Sequence, residues 1–297
     1  MRALVTGAAG FVGQHLIPRL RAAGWQIHAV DREVDVRDAD AVQGCVSAAS
    51  PDAIVHLAAQ SSVAASLSDP EASARVNFLG TRHVLEAAAR TAPRARVLLV
   101  GSGEQYGPGA PGAPAFSESA FQAPRTPYAR SKACADLLGA HYAARGLDVV
   151  RVRAFNHTGR GQSDAFVIPS FARQAAAIAA GRHEPRIAVG NLDAVRDFLD
   201  VEDVVEAYLR LLDRGVPAGV YNVASGVGRR IGDVLQSLLA QAGIAPRIEV
   251  DAARLRPADA SVGDPARLRA AGWRPRVPFE LTLRRVLEDW QAREGAS

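Results

Sequence analysis

Residues 6 to 13 read "TGAAGFVG", with Gly7, Gly10 and Gly13 placed between the apolar run "RALV" and the helical pattern "FVGQHLIPRLRAAG". No other stretch restricts the fold so sharply. In a strand-turn-helix unit the first glycine permits the tight turn, the second lets backbone approach a pyrophosphate, and the third allows the helix to pack closely on the strand. The helix N-terminus then offers unpaired N–H groups and the positive end of its dipole to an anion. At the first βα turn of a chain this spacing predicts a dinucleotide site. The second apolar run, "QIHAVD", ends at Asp31, 18 residues beyond Gly13, near the distance at which a carboxylate meets the adenosine ribose hydroxyls. That position leans toward NAD. Arg32 follows at once and is able to pair with a 2′-phosphate, so NAD and NADP both stay open.

Further β-branched runs at "AIVHLA", "RVLLVGS" and "DVVRVRAF" alternate with longer amphipathic stretches. This order predicts an α/β chain: a doubly wound parallel sheet of Rossmann type with helices on both faces. Pro18 falls inside the first helix and predicts a kink or an early end there. After residue 155 the alternation loosens into "IPSFARQAAAIAAG", "VEDVVEAYLRLLDRG" and "IGDVLQSLLAQAG" with Pro- and Gly-rich connections. We therefore expect a dinucleotide-binding domain over 1–155, with segments near 196–225 returning to it, and a smaller C-terminal α/β substrate-binding region over 156–297.

The function classes excluded are several. Half the chain is apolar, 48%, enough for a full core and too much for disorder. No apolar run reaches the roughly 20 residues that span a bilayer, and the start "MRALVTGAAG" lacks the pattern of a leader. The net charge of +4 is spread over interleaved Arg and Asp, which speaks against nucleic acid and suits a small anionic substrate. Cys45 and Cys134 are isolated, so neither a disulfide framework nor a metal site is expected, and the cytoplasm is the expected compartment.

The stretch "TPYARSKACAD" holds Lys132, the only lysine among 35 Lys and Arg residues. Thr126 and Pro127 read as the cap and first residue of a helix. Tyr128 and Lys132 then share one face, four residues apart. A phenol is a poor acid–base group at neutral pH unless its pKa, ordinarily near 10, is lowered. A neighbouring ammonium and an oxidised nicotinamide are expected to lower it. Lysine suits the place because its compact three-donor head reaches a ribose hydroxyl beside the phenol, as a planar guanidinium does not.

Taken with these motifs, "HLAAQSSV" at 56–63 and "GSGEQYG" at 101–107 make the chain resemble the extended short-chain dehydrogenase/reductases, the NAD-dependent epimerase/dehydratase family that acts on nucleotide sugars. The resemblance covers nearly the whole nucleotide-binding half. It implies a catalytic Ser102–Tyr128–Lys132 set in which Ser102 orients the reacting oxygen and Tyr128 exchanges its proton. It also implies cofactor contacts from Gly7, Gly10, Phe11, Val12, Gly13, Asp31, Arg32, Asp35, Val36, Leu57, Ala58, Ala59, Tyr128 and Lys132, and a homodimer packed through helices. The segments "RAFNHTGRGQSDAFVIPSFARQ", "VGNLDAVRDFLDVEDVV", "YNVASG" and "LRPAD" resemble the branch that reduces GDP-4-keto-6-deoxy-D-mannose. That implies a GDP-linked 4-keto-6-deoxy sugar as substrate and NAD(P)H as cofactor. Ser102 and Glu104 would then bind the sugar, Asn156, Arg196 and Arg256 would approach the diphosphate, and Asp259 a hydroxyl or base donor; paired Arg forks suit a diphosphate. Arg160 departs from this pattern, standing where the branch has proline.

Three rivals stand beside that reading. Glu104, two residues after Ser102, matches the spacing of the base in GDP-mannose 4,6-dehydratases, although "RDFLDVEDVV" lacks their aromatic, histidine-containing segment. A nucleotide-sugar 4-epimerase uses the same fold. A dinucleotide-sensing binding protein would need the glycine turn alone, and the intact Ser-Tyr-Lys set argues against it. His157 is a further acid–base candidate, in a role that Tyr128 already fills. Gly103 stands where the fucose-synthase branch has cysteine.

Overall fold

The computed structural model describes residues 1–110, 112–251 and 259–295. Its strands are β1 (Arg2–Thr6), β2 (Gln26–Val30), β3 (Ala53–His56), β4 (Arg96–Val100), β5 (Val149–Ala154), β6 (Asn156–Thr158), β7 (Arg186–Val189), β8 (Val195–Asp200), β9 (Gly219–Val223), β10 (Gly228–Arg230), β11 (Arg247–Val250) and β12 (Ala260–Ser261). Its helices are α1 (Phe11–Ala22), α2 (Ala39–Ala49), α3 (Val63–Ser68), α4 (Pro70–Ala74), α5 (Gly80–Thr91), α6 (Pro127–Ala144), α7 (Val167–Ala179), α8 (Val201–Leu212), α9 (Ile231–Ala242), α10 (Ala266–Ala270) and α11 (Phe279–Gly295). A π-helical turn, Arg75–Leu79, precedes α5, and a 3-10 turn, Gly103–Tyr106, follows β4.

The central sheet is parallel throughout, in the order β2-β1-β3-β4-β5-β9. From β1 the chain first crosses to β2 on one side, then returns to β3 on the other. The carboxyl ends of β1 and β3 thus border a topological switch point, where open α/β sheets place their ligand crevice. Burial on both faces explains the strand composition, because Ile54, Val55, Val97 and Leu98 have no solvent side at all. One face packs Leu16 and Leu20 of α1 and Tyr208 and Leu211 of α8 against Val5, Val55, Val150 and Val152. The other packs Val42 and Val46 of α2 and Val84 and Leu85 of α5 against Leu4, Ile54 and Val97. A separate core joins Phe171 of α7, Leu235 and Leu238 of α9 and Leu283 and Val286 of α11. It lies beside two small sheets, one ordered β10-β8-β12 with β6 also on β8, the other pairing β11 with β7.

The expected interruption of the first helix takes a milder form, since α1 runs through Pro18 to Ala22. Leu16 and Leu20, both fully buried, fasten the helix on either side of the proline. Burial of two leucines, about 2 kcal/mol each, is of the same order as the penalty for an interior proline, ~3 kcal/mol.

Two glycines make a matched stability test. A Cβ on Gly13 would overlap the backbone carbonyl of Ala8 and lie 2.8 Å from that of Gly7, whereas a Cβ on Gly44 in α2 meets nothing within 4 Å. Gly13→Ala is expected to lower unfolding free energy by about 2–4 kcal/mol, and Gly44→Ala to raise it by about 0.5–1 kcal/mol. Urea denaturation of the two variants checks both signs.

Candidate active site

The carboxyl ends of β1 to β5 open onto one cleft of about 1490 Å³. It extends from Asp31, Arg32, Asp35 and Arg37, past the glycine turn, Ser102 and Tyr128, to Arg196, Asp259 and Ser261. Gly7 has φ +69°, and a Cβ there would lie 2.6 Å from the Ala58 nitrogen, so this turn accepts only glycine. On Gly10 the nearest atom to a Cβ would be the Gly7 carbonyl oxygen at 3.1 Å, which leaves its outer side open to the cleft. Gly10 is also the cap of α1, with no side chain bonded to the helix N-terminus. A cradle without side chains at the positive end of a helix fits a pyrophosphate, flanked by Phe11 and Val12 on one side and Leu57, Ala58 and Ala59 on the other.

At the adenosine end, Asp31 lies just past β2 and its N–H donates to Glu33 Oε1 at 2.8 Å. Among the described residues neither the Asp31 carboxylate nor the Arg32 guanidinium has a side-chain partner, so a ribose diol and a 2′-phosphate both find a complement here. Asp35 is otherwise engaged. The Arg37 fork bonds it at 2.7 to 3.0 Å and holds its carboxyl down at about 2. Val36 is buried, its carbonyl accepting from His83 Nδ1 at 2.9 Å.

Thr126 caps α6 by accepting the Ala129 N–H at 3.1 Å, and Pro127 is the first helical residue. Tyr128 and Lys132 consequently face the sheet, both buried. Ser102 caps the 3-10 turn, its Oγ accepting the Glu104 N–H at 3.2 Å, and its hydroxyl lies near the Tyr128 phenol and acts to lower its pKa. Glycine on each side tightens this placement, because a Cβ on Gly103 would lie 2.9 Å from the Phe155 ring. Lys132 Nζ donates to the Val100 carbonyl at 2.8 Å. Beneath it His56 is kept neutral: burial and then the lysine charge push its imidazole down to about 3, and its Nδ1 bonds Thr6 Oγ1 at 2.8 Å.

Within the chain alone, without the charge of an oxidised nicotinamide, the phenol shifts upward. The Tyr128 phenol is pushed up to about 12, first by burial and further by the Glu104 charge, against the lowering effect of Ser102. Desolvation of the phenolate is the largest cause, and the Lys132 ammonium is directed at a strand carbonyl. Lys132 responds to the same burial from the other side and comes down to about 8.

Toward the far end, Asn156 Nδ2 donates to the Asp197 carbonyl at 3.3 Å. Arg196 and Asp259 meet each other at 2.7 Å, so in this state the two predicted substrate contacts are mutual partners. Arg256 lies outside the described residues. His157 lines the cleft: burial lowers its pKa, its Nδ1 bonds the Phe155 carbonyl at 3.0 Å, and its ring stacks on Phe11 at 6.1 Å. The departure at Arg160 is accommodated by Gly161 at φ +87° and by His15, whose Nε2 lies 2.8 Å from the Arg160 carbonyl.

Sequence reasoning missed two features. Asn77 of the π-helical turn donates to Ser131 Oγ at 2.9 Å and exchanges bonds with the Gln60 backbone at 2.8 and 3.0 Å, linking the loop after β3 to α6. The N-terminus of α7 has no side-chain cap, and Val167, Ile168 and Pro169 line the cleft there. It is a second place where an anion is favoured. Asn77 sits among apolar helix residues, the one signal that marked it.

The NAD dependent epimerase/dehydratase family model matches residues 3–224. The chain is 39% identical to the GDP-6-deoxy-D-mannose reductase of Pseudomonas aeruginosa, over 98% of each chain. It superposes on the structure of RMD from Pseudomonas aeruginosa complexed with NADPH with a TM-score of 0.91 and 38% identity, covering 98% of this chain and 99% of that one. The UDP-glucose 4-epimerase of Thermus thermophilus in complex with NAD gives a TM-score of 0.88 at 30% identity, covering 98% and 99%.

The lysine provides a test of the site's electrostatics. Its folded value is about 8 against an ordinary 10.5, so burying the ammonium costs about 3 kcal/mol below pH 8. The Val100 bond offsets about 1 kcal/mol of that. Between pH 8 and 10.5 the unfolded chain binds more protons than the folded one, so this penalty fades as pH rises. Lys132→Met is expected to raise Tm by a few degrees at pH 7, with the gain shrinking toward pH 10.5. Calorimetry across that range checks it; a Tm that falls at pH 7 would exclude a buried, strained charge.

Proposed function

The chain belongs to the NAD-dependent epimerase/dehydratase family, and from that premise we propose that it reduces the C4 ketone of GDP-4-keto-6-deoxy-D-mannose to a GDP-6-deoxyhexose. What supports the reading is the convergence of Ser102, Tyr128 and Lys132 in the cleft that the glycine turn shapes, where burial pushes the phenol up to about 12. Such a phenol is loaded with its proton throughout the physiological range, as reduction of a ketone requires. A nicotinamide cofactor seated on the glycine turn supplies the hydride. Ser102 orients the ketone oxygen, Tyr128 protonates it as the alkoxide develops, and Lys132 holds positive charge beside the phenol. Glu104 shapes the same wall. Asn156, Arg196 and Asp259 take the sugar nucleotide, the Arg196–Asp259 pair exchanging partners when a diphosphate enters, because a charge-assisted fork to phosphate replaces the one to carboxylate at little net cost. Similarity to a GDP-6-deoxy-D-mannose reductase along almost the whole chain supports the GDP-sugar class. NADH and NADPH both fit the Asp31–Arg32 corner. The first 155 residues, with segments near 196–225 returning to them, among them α8 and β9, form the cofactor half, and the remainder mainly the substrate half.

A homodimer through helices fits the outer face of α6, where Arg130, Cys134, Leu137 and His141 recur at helical spacing and Leu137 is 65% exposed. Leu137→Glu is expected to convert the dimer to monomer in light scattering. No described helix is long and apolar enough to cross a membrane. A cytoplasmic setting accords with Cys45 and Cys134, both free.

The decisive assay supplies the GDP-linked 4-keto sugar with NADH or NADPH and identifies the product by NMR. We expect stoichiometric oxidation of reduced cofactor, and Tyr128→Phe to lower turnover by about 10²- to 10⁴-fold with cofactor affinity retained. In wild type kcat/KM is expected to fall above about pH 8, as Lys132 loses its proton. Consumption of GDP-mannose without net cofactor change would instead establish the dehydratase.

A further inference from the structure

β5 carries arginines at alternate positions, Arg151 and Arg153, and the period of a strand turns both toward α6. Their guanidiniums converge on one carboxylate oxygen, Asp136 Oδ2, at 3.2 and 2.9 Å. Asp136 lies four residues beyond Lys132 and eight beyond Tyr128, so the three side chains share the inner face of α6, all buried. The same oxygen accepts from Gln122 Nε2 at 3.1 Å. Gln122 Oε1 in turn accepts from Gln105 Nε2 at 3.2 Å, and Gln105 Oε1 accepts the backbone N–H of Ser102 at 2.7 Å.

The direction of this chain is fixed at both ends. A backbone N–H only donates and a carboxylate only accepts, so each amide between them has a single orientation. Gln105 is fully buried, and Gly101 leaves the room for its amide oxygen, which a Cβ there would strike. The far end of the 3-10 turn is held by the same hub, since Arg153 donates to the Tyr106 hydroxyl at 3.0 Å. Ser102 and Tyr106, the cap and the last residue of the turn, are therefore both tied to a carboxylate on the helix that carries Tyr128.

We propose that Gln105, Gln122 and Asp136 are positioning residues, a directional relay that sets the Ser102 hydroxyl against the Tyr128 phenol. Ser102 and Tyr128 stand on separate elements, and an interaction between two hydroxyls is by itself too weak to fix their separation. A shift of about 1 Å at a reacting centre costs on the order of a hundredfold in rate. The relay supplies the rigid link. Its kinetic role rests on the reductase reading, while its geometric role stands without it.

Gln122→Met breaks the relay at its half-buried middle member and keeps side-chain length. With the keto sugar and reduced cofactor, kcat is expected to fall about tenfold, while KM and the cofactor Kd stay within about twofold. In a Ser102→Ala background the same change is expected to cost nothing further, because the group being positioned is gone. Independently of activity, the Ser102 amide proton is expected to exchange several-fold faster by NMR in Gln122→Met, as Gln105 loses its orientation. An unchanged kcat, an equal loss in the Ser102→Ala background, or unchanged exchange at Ser102 would each overturn the relay. Should wild type fail to reduce the keto sugar, the reductase reading falls, and amide exchange alone then decides the relay.

Discussion

Burial of one ammonium group sets the terms for the rest of the site. Lys132 is taken out of water against β4 and compensated by a single neutral carbonyl, that of Val100, instead of by a carboxylate. The obvious acidic neighbour, Asp136 one turn away, is already committed to Arg151 and Arg153. The nearby imidazole of His56 is held neutral, which avoids a second cation in the same space. What results is a positive charge left available to whatever enters the cleft, at a cost in stability the fold must absorb elsewhere. Only lysine can be used this way, because a guanidinium stays charged under any such burial and demands planar partners. That is a physical reason for one lysine in a chain that otherwise uses arginine throughout.

The parts of this arrangement that were legible in the sequence are local ones. The glycine turn, the Thr126–Pro127 start of α6 and the four-residue spacing of Tyr128 and Lys132 depend on caps, turns and helical period, which adjacent residues determine. Pro18 misled because its penalty is local while the burial of Leu16 and Leu20 that offsets it is tertiary. The raised phenol pKa was likewise invisible: spacing brought an ammonium near, but the degree of desolvation depends on how β4, α6 and α8 close over the ring. The pairing of Arg196 with Asp259 joins residues 63 apart in sequence, and no pattern announces it. One signal was present and unread. Arginine at alternate positions of a central strand, "VVRVRA", puts guanidiniums inside the sheet layers, and such charges need a buried acid. Asp136 on the catalytic-helix face is the acid that the pattern required.

These points bear on Glu104, the residue that keeps a dehydratase in view. A base that removes a carbon-bound proton must touch that carbon, whereas a charge acts at a distance. Here the Glu104 charge raises the phenol pKa of Tyr128, adding to burial in the same direction. An enzyme that begins by oxidising a sugar hydroxyl needs the phenolate at the start, and a carboxylate beside the phenol opposes it. An enzyme that reduces a preformed ketone needs the phenol loaded, and the same carboxylate assists it. The Glu104 charge therefore favours the loaded phenol that reduction needs, while the same carboxylate stands at the spacing of a dehydratase's base. On the proposed reading, Glu104 lines the substrate side of the cleft and helps keep the proton on Tyr128 until an alkoxide forms beside it.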